Sequence, residues 1–312
     1  MKTIRNIALL LLLALTVLAA AEAEDPYDWR GAETLAGRIL HAEIALEKPR
    51  LLKIHALKVD LRTPGLRLVT TGRAPDWGEV MPGFEKFVIR TVRQRTLDFV
   101  EEMREKGVPV IAAVNAAPWL PWQKPYNHTY ADHLGLAVSD GVIVCPPQKR
   151  PVPALVQKAD GTVEMREYKP GDPASDVRTA VSGFTFILRA GKPCPQKRKD
   201  TACHPRTFFG LSQDRKTLYL VTVDGRQAGY SEGVTLKEGS ELLRRLGAYD
   251  AINMDGGGST TMVLVRENKP EHVNRPSGGI WPIRLARTVG NNLGIAYEPP
   301  AEKKPEPPAK EK

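Results

Sequence analysis

The sequence is poor in cysteine and in long apolar runs. Its three cysteines have no close Cys-x-x-Cys spacing, so a cysteine metal site is poorly supported. After the N-terminal segment, nothing approaches the about 20 consecutive apolar residues that a membrane helix needs. We therefore predict no stable membrane insertion of the mature chain. With 312 residues, the chain is long enough to bury a core without support from disulfides or metal.

Glycine and proline are, by contrast, abundant, with 26 residues of each. So many turn-forming residues would interrupt a tightly wound helical bundle, and they favour a fold rich in strands and loops. The hydrophobic share of 42% and the charged share of 26% exclude a disordered or collagen-like chain. Residues 24–297 contain no internal repeat and no linker. We predict a single α+β domain there, rich in strands, with a mixed or antiparallel sheet and two main helices.

Both ends of the chain differ from this predicted domain. Residues 1–23 have the three parts of a secretory signal peptide: a positive start, an apolar run and small residues that offer cleavage after Ala21 or Ala23. We therefore expect an exported protein, periplasmic or extracellular; an uncleaved N-terminal anchor is the alternative. Residues 298–312 are rich in proline, lysine and glutamate and are predicted to form a disordered tail.

The formal net charge of +9 favours anionic partners. Phosphate-bearing glycans, acidic cell-envelope polymers and nucleic acids are all anionic and could be such partners. In an oxidising compartment Cys194 and Cys203 are the natural disulfide pair, with Cys145 left over. Their bridge would close a short basic loop that contains Lys197–Lys199.

Apolar periodicity locates the main elements. Alternation of apolar and polar residues predicts strands within residues 38–71, and a buried strand is expected to end at Asn115. Further strands or hairpins are predicted from the segments LGLAVSDGVIV, FTFILRAGK, RTFFGLSQDRKTLYLVTVDG, AINMD and TTMVLVR, with a final pair over residues 284–297. Helical spacing predicts one helix over Phe84–Lys106 and a second over Thr235–Leu246, each ended by a glycine.

The most informative segment runs from Asn253 to Thr261. An apolar strand carries Asp255 to its end, where three glycines and two hydroxyl residues follow: Gly256, Gly257, Gly258, Ser259 and Thr260. Glycines at a strand end permit left-handed backbone and a close approach of a ligand to the amides. A tight turn that Asp255 merely caps is the alternative.

Several known motifs do not fit this sequence. Ser259 stands where a P-loop needs lysine, and Leu264 stands where an EF-hand that starts at Asn253 needs glutamate. The Gly-x-Ser-x-Gly elbow of serine hydrolases is absent. His128 and His133 lack the i, i+4 spacing of a zinc helix. We predict neither a metal site nor a cofactor.

Two shorter groups are also candidates for binding. The first is His204-Pro205-Arg206-Thr207, in which the planar guanidinium of Arg206 suits phosphate or carboxylate. The second is Asp224-Gly225-Arg226, at the end of the apolar strand LYLVTV. A surface ion pair and an ordinary Asp-Gly turn are the respective alternatives.

Taken together and in this order, these segments resemble the phosphodiester glycosidase family. The resemblance is strongest over residues 84–297 and includes a Gly-x-Thr-Leu helix start before the Asp-Gly-Gly-Gly-Ser-Thr core. It also includes Arg287-Thr288-Val289-Gly290-Asn291, which is similar to the closing Arg…Asn strand of the family. One departure stands out, because the family usually has Asn-Gly-Gly-Phe-Phe where this chain has Asn115-Ala116-Ala117-Pro118-Trp119. Trp119, Trp122 and Tyr126 crowd this loop, either to stack on a sugar or to pack the loop.

The resemblance implies an exported hydrolase that cleaves a sugar-1-phosphodiester in a glycan or cell-envelope polymer. The expected partner is then a phosphorylated glycan or a small sugar phosphodiester and not a nucleic acid. We expect Asp255, or else Asp224, to be the catalytic carboxylate and Arg206 to neutralise the phosphate. The expected substrate-binding residues are Asn115, His204, Thr207, Arg226, Gly256, Gly257, Gly258, Ser259, Thr260 and Arg287. Glu238 also matches the family helix, where it is expected to give a supporting hydrogen bond.

Two other functions remain open at this stage. One is a non-catalytic phosphoglycan-binding protein, in which the altered loop after Asn115 has removed the chemistry. The other is a metal-dependent phosphodiesterase, although the sequence has no obvious ligand cluster. The sequence leaves undefined the sugar, the aglycone, the oligomeric state and whether the anomeric configuration is retained or inverted.

Overall fold

The computed structural model describes residues 26–124, 126–196, 202–278 and 286–300. The predicted signal peptide, the triplet Lys197–Lys199 and residues 301–312 of the predicted tail lie outside these ranges. Strands dominate the described part, which contains two α-helices. In that part, no helix combines the length and the apolar character that crossing a membrane requires.

The largest sheet has eight antiparallel strands. Numbered in chain order, its strands are β1 (Glu33–Ala36), β2 (Ile39–Leu46), β3 (Leu52–Asp60), β16 (Thr185–Arg189), β17 (Lys192–Pro193), β18 (Arg206–Leu211), β19 (Thr217–Val223) and β20 (Asp250–Asn253). Their spatial order is β1-β2-β3-β19-β18-β20-β16-β17. The strand that precedes Asp255 therefore lies between β18 and β16, inside the sheet and not at its edge.

Two five-stranded antiparallel sheets complete the framework. One has the order β22-β21-β8-β23-β4 and consists of β4 (Leu66–Thr70), β8 (Val110–Asn115), β21 (Met262–Arg266), β22 (Lys269–His272) and β23 (Asn292–Tyr297). The other has the order β12-β11-β15-β13-β14 and consists of β11 (Ala137–Ser139), β12 (Val142–Cys145), β13 (Val152–Lys158), β14 (Val163–Tyr168) and β15 (Val177–Ser182). Smaller pairings join β5 (Val80–Met81) to β6 (Phe84–Val88), and β7 (Thr91–Val92) and β9 (Trp119–Leu120) to β10 (Tyr130–His133).

The main core lies between the eight-stranded sheet and the two five-stranded sheets. Phe209 and Ile252 of the large sheet are fully buried there against Val114 of β8 and Leu293 of β23. The alternate residues of the same strands, such as Phe208, face the opposite side and pack under a helix. This period of two is the pattern that predicts strands from sequence. As a result, β8 and β20 end close together although they belong to different sheets.

The predicted first helix is wrong over its first half. The structure has α1 only over Thr96–Glu105, whereas Phe84–Val88 and Thr91–Val92 are strands. Pro82-Gly83 forms the turn between β5 and β6, and the apolar residues of this segment pack around Met81 and Ile89. The turn at Pro82-Gly83 and the pairing with β10 therefore determine the structure of this segment, although its apolar residues have helical spacing.

The structure confirms the second predicted helix. It spans Leu236–Leu246 as α2, and Gly247 ends it in the left-handed conformation. Thr235 and Glu238 form a reciprocal capping box at its first turn, which is the supporting hydrogen bond expected for Glu238. Arg50 adds an ion pair to the same carboxylate, with 2.5 Å between Nη2 and Oε2.

The remaining strand predictions are largely confirmed, but the fold contains more β-structure than predicted. The hairpin at Asp140-Gly141 and the strands before Asn115 and Asp255 all form. Strands β13, β14, β15 and β22 were not predicted, and in the described part of residues 284–297 only β23 is present. The predicted α+β class therefore holds for the two helices and the antiparallel sheets, although the balance lies strongly toward β.

The predicted Cys194–Cys203 bridge is not formed. All three cysteines, Cys145, Cys194 and Cys203, carry free thiols. Cys194 packs against the main core near Arg189 and Asp250, whereas Cys203 lies in the field of Arg50. The two side chains thus face different surroundings, which proximity in sequence did not reveal.

Candidate active site

Asn115 joins the three chain segments that build the site. Its side chain is fully buried at the end of β8, and its Nδ2 donates to the Asp255 carbonyl at 2.7 Å. Its Oδ1 accepts from Thr207 Oγ1 at 2.7 Å and from the Thr261 amide at 3.1 Å. The structure therefore brings Asn115, Thr207 and Asp255 together, with the Thr207 hydroxyl fully buried and bonded to Asn115. With its amide occupied by protein groups, Asn115 holds the segments in place.

Asp255 carries a buried carboxylate at the start of the glycine turn, defined as Gly256–Gly258. Its Oδ1 accepts from the Gly256 amide at 2.9 Å, and its Oδ2 accepts from Trp119 Nε1 at 3.1 Å. Ser259 gives a further hydrogen bond to the carboxylate. Burial raises the pKa of Asp255, while the charge of Arg287 and these hydrogen bonds oppose the rise.

Arg287 reaches this carboxylate through Ser259. Its Nη2 donates to Ser259 Oγ at 2.5 Å, so one hydroxyl connects the guanidinium to Asp255. The Nε of Arg287 is buried and has no hydrogen-bond partner in the part of the chain that the structure describes. Such a donor is available to a ligand, because native structures rarely leave buried polar groups unsatisfied.

Two guanidinium groups lie against the glycine turn, and a third, that of Arg93, lies near Trp119. Gly257 has a φ of +64°, and a Cβ there would lie 3.1 Å from Arg226 Nη1, while a Cβ on Gly258 would lie 3.5 Å from Arg287 Cζ. Desolvation and the charge of Arg287 lower the pKa of Arg226, and the same two causes lower the pKa of Arg93 to about 10. Among the described residues these guanidinium groups contact neutral acceptors and not carboxylates. The turn is therefore a site of excess positive charge.

Arg206 and His204 also lie near the glycine turn. Arg206 Nε donates to the Val234 carbonyl at 3.4 Å, and its aliphatic chain lies alongside Gly256. His204 Nδ1 accepts from Arg226 Nε at 3.4 Å. The structure thus places the predicted groups His204–Thr207 and Asp224–Arg226 next to the turn, as expected for one site.

Asp224 is the second buried carboxylate of this region. Its Oδ1 accepts from Asn274 Nδ2 at 2.8 Å, and its Oδ2 accepts from the Arg275 amide at 2.8 Å and from the Tyr230 hydroxyl at 3.3 Å. Burial raises its pKa to about 6. Asn274 also donates to the carbonyl of Thr260, so Asp224 is connected to the end of the glycine turn. The Thr260 hydroxyl is buried without a partner in the described ranges.

Trp119 does not form an exposed platform for a sugar. It is fully buried, and its indole ring lies between Asp255 and the guanidinium of Arg93, whose Cζ is 4.2 Å from the ring centroid. Trp122 is 51% exposed and packs against Phe184. Arg93 was not identified from the sequence, because within the predicted helix an arginine is an ordinary surface residue. Only its tertiary contacts distinguish it.

No group of three or more His, Cys, Asp or Glu side chains in the described ranges is arranged to hold a metal ion. The polar groups at the glycine turn are instead guanidinium donors, one buried carboxylate and hydroxyls. This donor set suits an anion such as phosphate, which guanidinium binds with paired hydrogen bonds.

Comparison with known proteins gives a consistent picture. The family model for phosphodiester glycosidase matches residues 109–296, more than half of the chain. The N-acetylglucosamine-1-phosphodiester alpha-N-acetylglucosaminidase of Mus musculus is 28% identical over an alignment of 149 positions, gaps included, which covers 42% of this chain and 28% of the mouse protein. The match therefore spans less than a third of that relative.

Two solved structures share the fold. The catalytic domain of zebrafish N-acetylglucosamine-1-phosphodiester alpha-N-acetylglucosaminidase, auto-inhibited by its pro-peptide, superposes with a TM-score of 0.60 at 21% identity, covering 87% of this chain and 86% of the zebrafish chain. A hypothetical protein from Synechocystis superposes with a TM-score of 0.55 at 12% identity, and the match covers 83% of this chain and 62% of the Synechocystis chain.

Proposed function

The chain belongs to the phosphodiester glycosidase family, and we propose that it is an exported hydrolase that cleaves the bond between a sugar and a phosphodiester. The observation that carries the proposal is the pairing of one buried carboxylate with an excess of guanidinium groups around the glycine turn. A sugar-1-phosphodiester needs both features, because its phosphate is anionic and its anomeric carbon becomes positive as the bond breaks.

The guanidinium groups are assigned to the phosphate. Arg206, Arg226 and Arg287 border the turn, and a phosphodiester seated there would receive charge-assisted hydrogen bonds from planar donors. As the glycosidic C–O bond breaks, its electron pair passes to the phosphate oxygen. Neighbouring positive charge stabilises that oxygen, so little help from a general acid is needed.

Asp255 is assigned to the anomeric carbon. Its carboxylate either attacks that carbon or removes a proton from the water that does so, and in both cases the water finally supplies the hydroxyl of the released sugar. We prefer Asp255 to Asp224 because Asp255 lies at the glycine turn and feels the charge of Arg287. Asp224 accepts three hydrogen bonds, as Asp255 does, but its donors Asn274 and Arg275 belong to the segment that follows β22, which Asp224 therefore supports.

The substrate is proposed to be a phosphodiester-linked N-acetylglucosamine glycan, or a related phosphorylated glycan of the cell envelope. The names of the mouse and zebrafish relatives support this choice of first substrate. Export is supported by the N-terminal sequence, which has the three parts of a signal peptide.

The test is release of free sugar from a panel of sugar-1-phosphodiesters, detected by mass spectrometry. Asp255→Asn preserves size and removes charge, so substrate should still bind while turnover falls on the order of a thousandfold. Asp250→Asn, at the other end of β20, is the matched control and should retain turnover.

The outcomes separate the alternatives. Binding of a phosphoglycan without release of sugar would replace the proposal with a non-catalytic binding function. Release of a sugar 1-phosphate and the aglycone alcohol in place of free sugar, abolished by a chelator, would indicate a metal-dependent phosphodiesterase. An Asp255→Asn variant that folds and turns over like the wild type would remove Asp255 from the reaction.

A further inference from the structure

Trp119 contacts the proposed catalytic carboxylate directly. The indole N–H donates to Asp255 Oδ2 at 3.1 Å, and both side chains are buried, with Trp119 fully so. The two residues are 136 positions apart, so the contact depends on the complete fold. Trp119 stands where the family usually has the last phenylalanine of Asn-Gly-Gly-Phe-Phe. A phenylalanine at this position could not form the hydrogen bond, because its ring has no N–H.

Two guanidinium groups lie near the indole ring of Trp119. The guanidinium of Arg93 lies 4.2 Å from the ring centroid, and that of Arg287 lies 5.7 Å from it. Arg93 is itself fixed by the carbonyls of Tyr126, His128 and Thr288 and by the Thr288 hydroxyl, at 2.7–3.0 Å. The position of the N–H is therefore set before any substrate binds.

The hydrogen bonds to Asp255 leave little of its carboxylate free. A carboxylate offers about four acceptor positions. Trp119, the Gly256 amide and Ser259 fill three of them. About one position is left for a water molecule or an anomeric carbon. Indole is only a donor, so Trp119 can orient the carboxylate without taking its proton.

We infer that Trp119, clamped by Arg93, is a positioning residue that aims the Asp255 carboxylate and favours its ionised form. The kinetic part of this inference rests on the proposed function, whereas the hydrogen bond and its effect on Asp255 do not. Burial opposes ionisation of Asp255, and a donor to the charged form counteracts that effect.

The first experiment compares Trp119→Phe with Trp77→Phe, whose indole N–H donates to the Val144 carbonyl at 2.7 Å. A hydrogen bond to a charged group is worth enough to move the acidic limb of the kcat/KM profile of Trp119→Phe to higher pH by about one to two pH units. Trp77→Phe should leave the limb in place. A Trp119→Phe limb within about 0.3 pH units of wild type would overturn the inference, since a purely structural role changes rates and not the titration.

A second experiment needs neither activity nor a destabilised variant. In wild-type protein with ¹⁵N-labelled tryptophan, the indole resonance of Trp119 should shift with pH as Asp255 titrates, and Asp255→Asn should abolish that shift. An indole resonance that stays constant across the titration would overturn the inference. If no phosphodiester is hydrolysed but the resonance titrates, the proposed function fails while the positioning of Asp255 by Trp119 stands.

Discussion

Asp224 shows at the scale of single residues how burial and hydrogen bonding compete. Three donors favour its charged form, yet removal from water dominates and raises its pKa to about 6. The folded protein therefore binds this proton more tightly than the unfolded chain, whose aspartate has a pKa of 3.8. The stabilising contribution is complete below pH 3.8 and is lost as the pH rises through about 6.

Asp224→Asn should remove this pH dependence. The unfolding free energy of wild type, relative to the variant, should fall between pH 4 and pH 7 by up to about 3 kcal/mol. Denaturant unfolding at a series of pH values measures the difference. Asp60→Asn is the control of opposite sign, because hydrogen bonds from Arg62 lower the pKa of Asp60 to about 2. The difference in unfolding free energy between Asp60→Asn and wild type should be nearly constant above pH 4. If both variants showed the same pH dependence, the raised pKa of Asp224 would not be its cause.

At the scale of elements, the helix α2 contains a glycine, Gly239, although glycine has a low helix propensity. Gly239 is the fourth residue of α2, at the end of its first turn, where a Cβ would be 2.3 Å from the Phe208 ring. The glycine lets α2 approach β18 closely, and β18 begins with Arg206 at the site. Packing between the helix and the sheet therefore determines this position.

Gly239→Ala should destabilise the protein in spite of its better helix propensity. Overpacking against Phe208 costs about 1–3 kcal/mol, which outweighs or cancels a gain of about 1 kcal/mol from replacing glycine in a helix. Lys237→Ala, on the exposed side of the same turn, should change the unfolding free energy by no more than about 0.5 kcal/mol. A thermal midpoint of Gly239→Ala above that of wild type would show that the helix can move away from the sheet.

Elements with strong local signals were the ones that the sequence could predict. The capping box at Thr235, the alternation in β2 and β3 and the turn at Asp140-Gly141 each involve neighbours in the chain. The segment Phe84–Val92 was misassigned because the local turn at Pro82-Gly83 pairs β6 with β5 and because the pairing of β7 with β10 joins distant segments. The Asp-Gly-Gly-Gly turn was visible in the sequence, whereas Arg93 and the Trp119–Asp255 contact were not, since each joins distant segments.

At the scale of the whole molecule, packing of the sheets explains why distant motifs meet. The eight-stranded sheet and the sheet of β8 enclose one core, and the Asp255 amide donates across their ends to the Ala116 carbonyl at 3.0 Å. Strand ends from two sheets thus deliver a carboxylate and arginines to one place. The formal charge of +9 adds a long-range field that attracts anions toward this place.

Hydrolysis should therefore depend on ionic strength. Raising salt from about 0.01 M to 0.3 M shortens the screening length from about 30 Å to below 10 Å, so kcat/KM for a phosphodiester should fall at least about threefold. Arg226→Gln removes a charge beside the glycine turn and should flatten this dependence. Lys216→Gln removes the same charge just before β19 begins, at the opposite end from Asp224, and should leave the slope nearly unchanged. Equal slopes for the two variants would show that the net charge of the molecule, and not the arginines of the site, guides the substrate.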